Sequence, residues 1–461
     1  MGVGRAGEGL APLSEWLALA AFALAPLPFG SVEPIFVAGW IALLSVSLMT
    51  ASTQGATREH LAVLCVLFAV LLAYAACATS WYAAFTGEAP DRIWSEAADL
   101  LGESFAASPR SSARPIFGAL LAPLLFTLAM ARAVLIGARP GGAAAIGRTI
   151  AIAAVVYALV GAAQSVFDPY GLLWREKTAY LSSLTGPFTS RNTAAVYFGT
   201  ATVIWALALQ REAKLLLPRT ASLGDAAQLL LSVSRPRLVA SAICMFICFG
   251  ATAATGSRAG FLLTGMALLL ASLLYLSTST AAKRLGWAGC GAVLLVGLML
   301  MEIWGGAVAS RIAQRGLADA GRAEVYARVA EAIAERPLAG RGAGTFPYAF
   351  PSMRPEALGS IGIWDRAHSI PLEIAFELGL PAALLVVGAY VAMLLRLAIA
   401  AAWGRRRDVI VGFCAALIGG LHACIDFSLQ IPGYAVVCAA LAGAGLASAS
   451  KRRRAADVRG T

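Results

Sequence analysis

Apolar and polar positions along this chain alternate on the scale of whole helices rather than single residues. Continuous apolar runs recur at about 11–29, 35–51, 61–79, 115–136, 149–166, 192–210, 238–254, 259–277, 285–303, 381–402, 409–426 and 432–449. Each approaches the length that a helix needs to cross a bilayer, about 20 residues. Barrel strands would instead alternate over roughly ten residues, so helices are the predicted spanning element. The reading is an all-α polytopic membrane protein of about 12 transmembrane helices, with both termini on one side. From Pro371 to Trp403 the apolar stretch is too long for one span. Gly379-Leu380-Pro381 inside it predicts a break, with a short helix over about 371–379 before the tenth span.

The connections differ between the two sides. Those on the side of the termini carry Arg139, Arg148, Arg211, Lys214, Arg219, Arg235, Arg237, Lys283, Arg284, Arg405 to Arg407 and the tail Lys451 to Arg454. The opposite loops, 80–114 and 304–380, are longer and mix Arg with Asp and Glu. This is the positive-inside pattern and predicts cytoplasmic termini. Loop 80–114 is acidic and then Ser/Pro-rich, and is expected to be mobile. Loop 304–380 is the largest soluble piece. Within it, Arg322 to Glu335 places Val325, Val329 and Ile333 at spacing four, which predicts an amphipathic helix on or near the membrane. No repeat or separate soluble domain interrupts the single integral membrane domain, 1–461.

Composition fits this picture. The 461 residues are 59% hydrophobic and 13% charged, where a soluble domain carries about a quarter charged residues. The net charge of +11 could suggest nucleic acid, but the basic residues sit in clusters between apolar runs, without a basic stripe interleaved with aromatics. Met1 to Phe29 has a barely basic start and reads as a retained first span rather than a cleaved signal peptide. All eight Cys lie within or at the edge of apolar runs, as small core residues rather than disulfides or zinc ligands. Asp-x-Asp, paired-metal, Walker and Gly-x-Ser-x-Gly patterns are absent from the sequence.

Five polar segments are predicted on the side opposite the termini. They are Gly186 to Asn192, Thr255 to Gly260, Gly321 to Glu324 with Pro337 to Phe346, Asp365 to Ser369 with Glu373 and Glu377, and His422 to Asp426 with Gln430 and Pro432. Arg191 and Arg258 begin predicted spans. Each either snorkels to headgroups or, with the helix N-terminus, binds an anion such as phosphate. Gly340 to Gly344 is either a flexible turn or a backbone nest for phosphate. His60 is read as incidental. His368 precedes a helix that Pro371 helps to start, whose positive end favours a neutral imidazole able to accept a proton. It is a candidate general base or a solvated loop residue. Glu373 and Glu377 share a helical face, fit to bind a sugar hydroxyl, orient His368 or pair with Arg. Asp426 is a boundary carboxylate, functional by default, or the partner of His422 in a packed bundle. An enzyme built from these groups needs an activated donor already in the membrane. A lipid diphosphate fits, because Arg stabilises its anionic leaving group without a metal.

In their order and common side, these motifs over 186–432 resemble the O-antigen ligase/polymerase superfamily. The resemblance implies a GT-C-like, metal-independent glycosyltransferase of the bacterial inner membrane, without a cofactor. It implies a glycan donor on undecaprenyl diphosphate at the periplasmic face and an acceptor that is lipid A-core sugar, a growing glycan or a protein hydroxyl. Arg258 and Arg322 would contact the donor diphosphate, with Arg191 and Arg341 as weaker counterparts, and His368 would activate the acceptor hydroxyl. Ser369 stands where the family often has Asn. A transporter or flippase for a small anion or lipid-linked glycan is the alternative. It calls for polar residues at mid-membrane in two related halves, whereas here they gather at one face. A scaffold without chemistry would leave the outer Arg and His residues without a reason.

Overall fold

A computed structural model describes residues 6–104, 108–111, 117–216, 235–276, 291, 295, 320–358 and 364–457. The chain is an all-α polytopic membrane protein. Its helices are α1 (Ala6–Leu24), α2 (Pro34–Met49), α3 (Arg58–Ala78), α4 (Ser80–Phe85), α5 (Arg92–Leu101), α6 (Phe117–Ala138), α7 (Gly142–Phe167), α8 (Arg191–Leu216), α9 (Pro236–Ala254), α10 (Arg258–Leu276), α11 (Ala320–Glu335), α12 (Phe346–Ala349), α13 (Ile370–Gly404), α14 (Arg407–Ala423) and α15 (Pro432–Asp457). One small antiparallel hairpin, β1 (Gly171–Leu172) with β2 (Arg175–Glu176), follows α7. Among the described residues, eight helices are long and apolar enough to cross a membrane: α3, α6, α7, α8, α9, α10, α13 and α15. Shorter apolar helices lie at Leu13–Leu24 and Pro34–Met49. The span expected at 285–303 lies outside the described residues, apart from residues 291 and 295.

Boundaries follow local chemistry. α1 stops before Pro26 and Pro28, which cannot continue a helix. Thr57 and His60 close a capping box at the start of α3. His60 is fully buried, and its Nε2 lies 3.0 Å from the Ala447 carbonyl, so it is a structural residue joining α3 to α15. α13 breaks at Gly379, with φ +83° and ψ 169°, and Pro381 follows. The short helix expected before the tenth span is therefore present. A Cβ at Gly379 would sit 2.0 Å from the Leu338 carbonyl oxygen, so both the conformation and the close approach require glycine.

α15 is the axis of the bundle: 94% of its apolar window is buried, against 11% for α3. It is rich in Ala and Gly, and Gly445 packs directly on Gly412 of α14, the close backbone approach that small residues permit between membrane helices. α11 corrects one expectation. Val325, Val329 and Ile333 are buried in a second core with Phe346, Phe350, Phe376 and Ala367. The helix therefore spends its apolar stripe on a cap built from its own loop rather than on lipid. Full burial of one Phe is worth about 1.5–3 kcal/mol, and three rings lie in this core. Within loop 80–114, the described residues form α4 and α5 and carry Arg110. Buried Arg110 donates to the Ala78 and Thr79 carbonyls at 2.6 and 2.9 Å, to the Cys77 carbonyl, and to the Ala339 carbonyl at 3.2 Å. It thus fills the open C-terminal end of α3 and ties it to the cap.

Candidate active site

The first residues of α8 and α10, the loop before α13 and the connection from α14 to α15 meet at one end of the bundle, beneath the cap. At their centre is Asp426, 1% exposed. α14 ends at Ala423, so Asp426 lies in the connection rather than inside the expected eleventh span. Its Oδ2 accepts from Asn192 Nδ2 at 2.5 Å and from Arg322 Nη2 at 3.3 Å, and its Oδ1 accepts from the Phe427 amide at 2.8 Å. His368 Nδ1 stands 3.4 Å from Oδ1, without hydrogen-bond alignment. Burial works against the charge on Asp426, but the adjacent His368 ring, His422 and Arg322 outweigh it and hold the carboxyl at about 2.

His368 has φ +53°, unusual for a residue with a Cβ. The surroundings hold that geometry. Tyr326 donates to the His368 carbonyl at 2.7 Å, and the ring meets Trp364 and Phe427 edge-on at 5.3 and 5.0 Å. Glu373, 2% exposed, accepts from the Ala367 amide at 2.8 Å, Gln430 Nε2 at 2.7 Å and Arg366 Nη1 at 3.3 Å. Of the roles open to Glu373, the arrangement favours orienting the His368 loop and pairing with an Arg. The His368 side chain stays partly accessible at 17%.

Arg322 also donates to the Ile425 carbonyl at 2.6 Å. The Arg191 guanidinium lies over the Tyr180 ring at 5.2 Å, and a Cβ at Gly256 would sit 3.7 Å from its Nη1. Arg258, half-buried, follows two residues after Gly256 as the first residue of α10. Burial and then the Asp426 carboxylate raise the Tyr180 phenol, while Arg191 and Arg322 lower it.

Three expectations change. Arg341 is not brought to this cluster: it pairs with Glu335, and its Nη1 lies 3.5 Å from Asp91. Glu377 takes the Gly344 and Phe346 amides at 2.9 and 3.1 Å, so the Gly340 to Gly344 turn already cradles a carboxylate where a phosphate nest was one reading. His422 does not hydrogen-bond the Asp426 side chain; its Nδ1 lies 2.9 Å from Ser428 Oγ, and only its backbone carbonyl accepts the Asp426 amide, at 2.8 Å. Sequence reasoning assigned no role to Asn192, Tyr326, Gln430 or Tyr180. Asn192 and Gln430 stand in quoted motifs and were within reach. Tyr180 lies in an irregular segment without a pattern to mark it. No group of three or more His, Cys, Asp or Glu among the described residues has the geometry to hold a metal ion.

Residues 243–387 match the family model described as O-antigen ligase. The match contains Arg258, Arg322, Arg341, His368, Glu373 and Glu377; Arg191 and Asp426 lie outside it. A comparison with curated proteins gives no match.

Proposed function

We propose that this chain, which carries an O-antigen ligase domain over residues 243–387, transfers a glycan from undecaprenyl diphosphate to an acceptor hydroxyl, as an O-antigen ligase or surface-polysaccharide polymerase. The observation that carries the reading is the convergence of Asn192, Arg322, His368 and Asp426 from separate elements at one end of a membrane bundle. That end is read as periplasmic and the termini as cytoplasmic, in the bacterial inner membrane, on the distribution of Lys and Arg.

In this reading His368 accepts the acceptor proton as the hydroxyl oxygen attacks the anomeric carbon of the donor. The bond from that carbon to the diphosphate oxygen breaks, and the lipid diphosphate leaves with the electron pair. Asp426 offsets the charge that develops on the imidazole, a role that suits a carboxylate held ionised. Arg322, Arg191 and Arg258 stabilise the departing diphosphate. Glu373 and Tyr326 set the position of His368, and Glu377 shapes the adjoining turn. Lipid A-core sugar or a growing glycan is the acceptor, and neither metal nor cofactor takes part. The polar cluster lies at a bundle end rather than at mid-membrane, which favours transfer over transport.

The test is His368→Ala in the native host, with protein level checked, followed by mass spectrometry of lipid-linked and mature glycans. Accumulation of the lipid-linked pool with loss of mature product is expected, and the length of the stalled glycan separates polymerase from ligase. Two normal pools with the protein present overturn the proposal.

A further inference from the structure

The outer segment after α3 exposes large apolar side chains. Trp81 and Phe85 of α4 are 87% and 88% exposed, and Leu100 and Leu101 at the end of α5 are 85% and 66% exposed. In α5, Ile93, Ala97, Leu100 and Leu101 fall on one side, and Arg92, Ser95, Glu96 and Asp99 on the other. No residue of α5 is buried, so among the described residues this face is left uncovered.

The level of the segment follows from α3. With 21 residues at 1.5 Å rise each, α3 covers the roughly 30 Å hydrocarbon layer. Its surface points outward, with Leu61, Val66 and Leu72 exposed. Its C-terminal carbonyls hold the Arg110 guanidinium, a charge suited to the headgroup level rather than to hydrocarbon. α4 begins at Ser80, directly after α3, so it lies at that level and continues the lipid-facing surface of α3.

The polar parts of the same segment grip the cap. Glu88 accepts the Leu338 and Ala339 amides at 2.8 and 3.0 Å, and Arg336 Nη1 donates to the Ala89 carbonyl at 2.7 Å. Asp91 lies 3.5 Å from both Arg336 Nε and Arg341 Nη1, and accepts from Ser111 Oγ at 2.6 Å. Arg341 thus has a structural use that the diphosphate cluster does not provide.

We propose that α4 and α5 are an interfacial anchor, inserting their apolar face into the adjacent leaflet and setting the height of the cap above the membrane. The occupant is the lipid surface. It is argued from continuity with α3 and from the division of the segment into a Trp, Phe and Leu face and a charged face, the pattern of helices that lie in a membrane interface. The proposal rests on exposure and continuity and stands apart from the transferase reading.

The test uses the full chain in vesicles of phosphatidylethanolamine and phosphatidylglycerol, with a genetically encoded nitroxide side chain replacing Phe85, Leu100 or Glu96 in turn. Retention of a monodisperse protein after extraction checks each variant. At positions 85 and 100, molecular oxygen is expected to relax the nitroxide more than a water-soluble nickel chelate does, with the order reversed at 96. Stronger relaxation by nickel at 85 and 100 overturns the proposal. Protection from both agents there also overturns it, because a second copy or another protein then covers the face.

Discussion

His368 Nδ1 lies 3.4 Å from Asp426 Oδ1, across the gap between the loop that opens α13 and the connection that joins α14 to α15. An imidazole beside a buried carboxylate accepts a proton without building uncompensated charge, which is what a base for a sugar hydroxyl requires. Asp426→Asn keeps the shape and removes the charge. It is expected to lower transfer by roughly 100-fold or more while protein level and fold remain, as read by turnover of a lipid-linked glycan.

The same substitution has a signature in acid. Asp426 falls from an ordinary 3.8 to about 2 in the folded protein. A depressed carboxyl stabilises the fold above its unfolded value and loses that contribution as pH falls through the folded one. The shift is worth roughly 2 kcal/mol. Thermal unfolding in detergent between pH 5 and pH 2 should therefore show a steeper loss for the native protein than for Asp426→Asn. Parallel curves would mean that the Asp426 charge does not stabilise the folded protein.

Glu373 holds the Ala367 amide and Gln430 from a nearly closed position. Glu373→Ala leaves those donors buried without an acceptor, at about 1–3 kcal/mol, and releases the backbone that sets His368. Glu373→Gln keeps one acceptor oxygen. Transfer is expected to fall in the order native, Gln, Ala, with the pH dependence of transfer altered in Glu373→Gln as well as its rate. Equal activity in all three would mean that the loop keeps its shape unaided.

Much of this arrangement is legible in the sequence, for reasons tied to particular residues. The break at Gly379 is visible because Gly and Pro punctuate an apolar run too long for one span. The common side of Arg191, Arg258, Arg322, His368 and Asp426 follows from counting spans, since parity alone fixes which ends coincide. Parity cannot distinguish Arg341 from Arg322, because both lie on the same outer segment. Only the fold sends Arg341 to Asp91 and Arg322 to Asp426. Spacing likewise revealed the apolar face of α11 but not its occupant, which turned out to be Phe346, Phe350 and Phe376 rather than lipid. Tyr180 owes its place to an irregular segment, where periodicity carries no information.

Gly379→Ala tests the break itself. The backbone there is in a region essentially restricted to glycine, which costs a residue with a Cβ about 1–3 kcal/mol, and the added carbon would meet the Leu338 carbonyl at 2.0 Å. A lower unfolding temperature and reduced accumulation in the membrane are expected. A neutral result would show that α13 can straighten without disturbing the cap.

Arg110→Lys keeps the charge at the end of α3 but not the fork that reaches several carbonyls. It is expected to destabilise the protein measurably, and Arg110→Ala further. Two unfolding temperatures equal to the native one would mean that the end of α3 is satisfied some other way.

On the proposed function, His368 takes the proton in glycan transfer. The most direct measurement is transfer by the purified chain, reconstituted in lipid with an undecaprenyl-diphosphate-linked glycan and a sugar acceptor, comparing the native protein with His368→Ala at matched amount and unfolding temperature. Free undecaprenyl diphosphate and elongated or ligated acceptor should form together with the native protein and fail together with the variant. Equal release by both proteins would contradict the assignment.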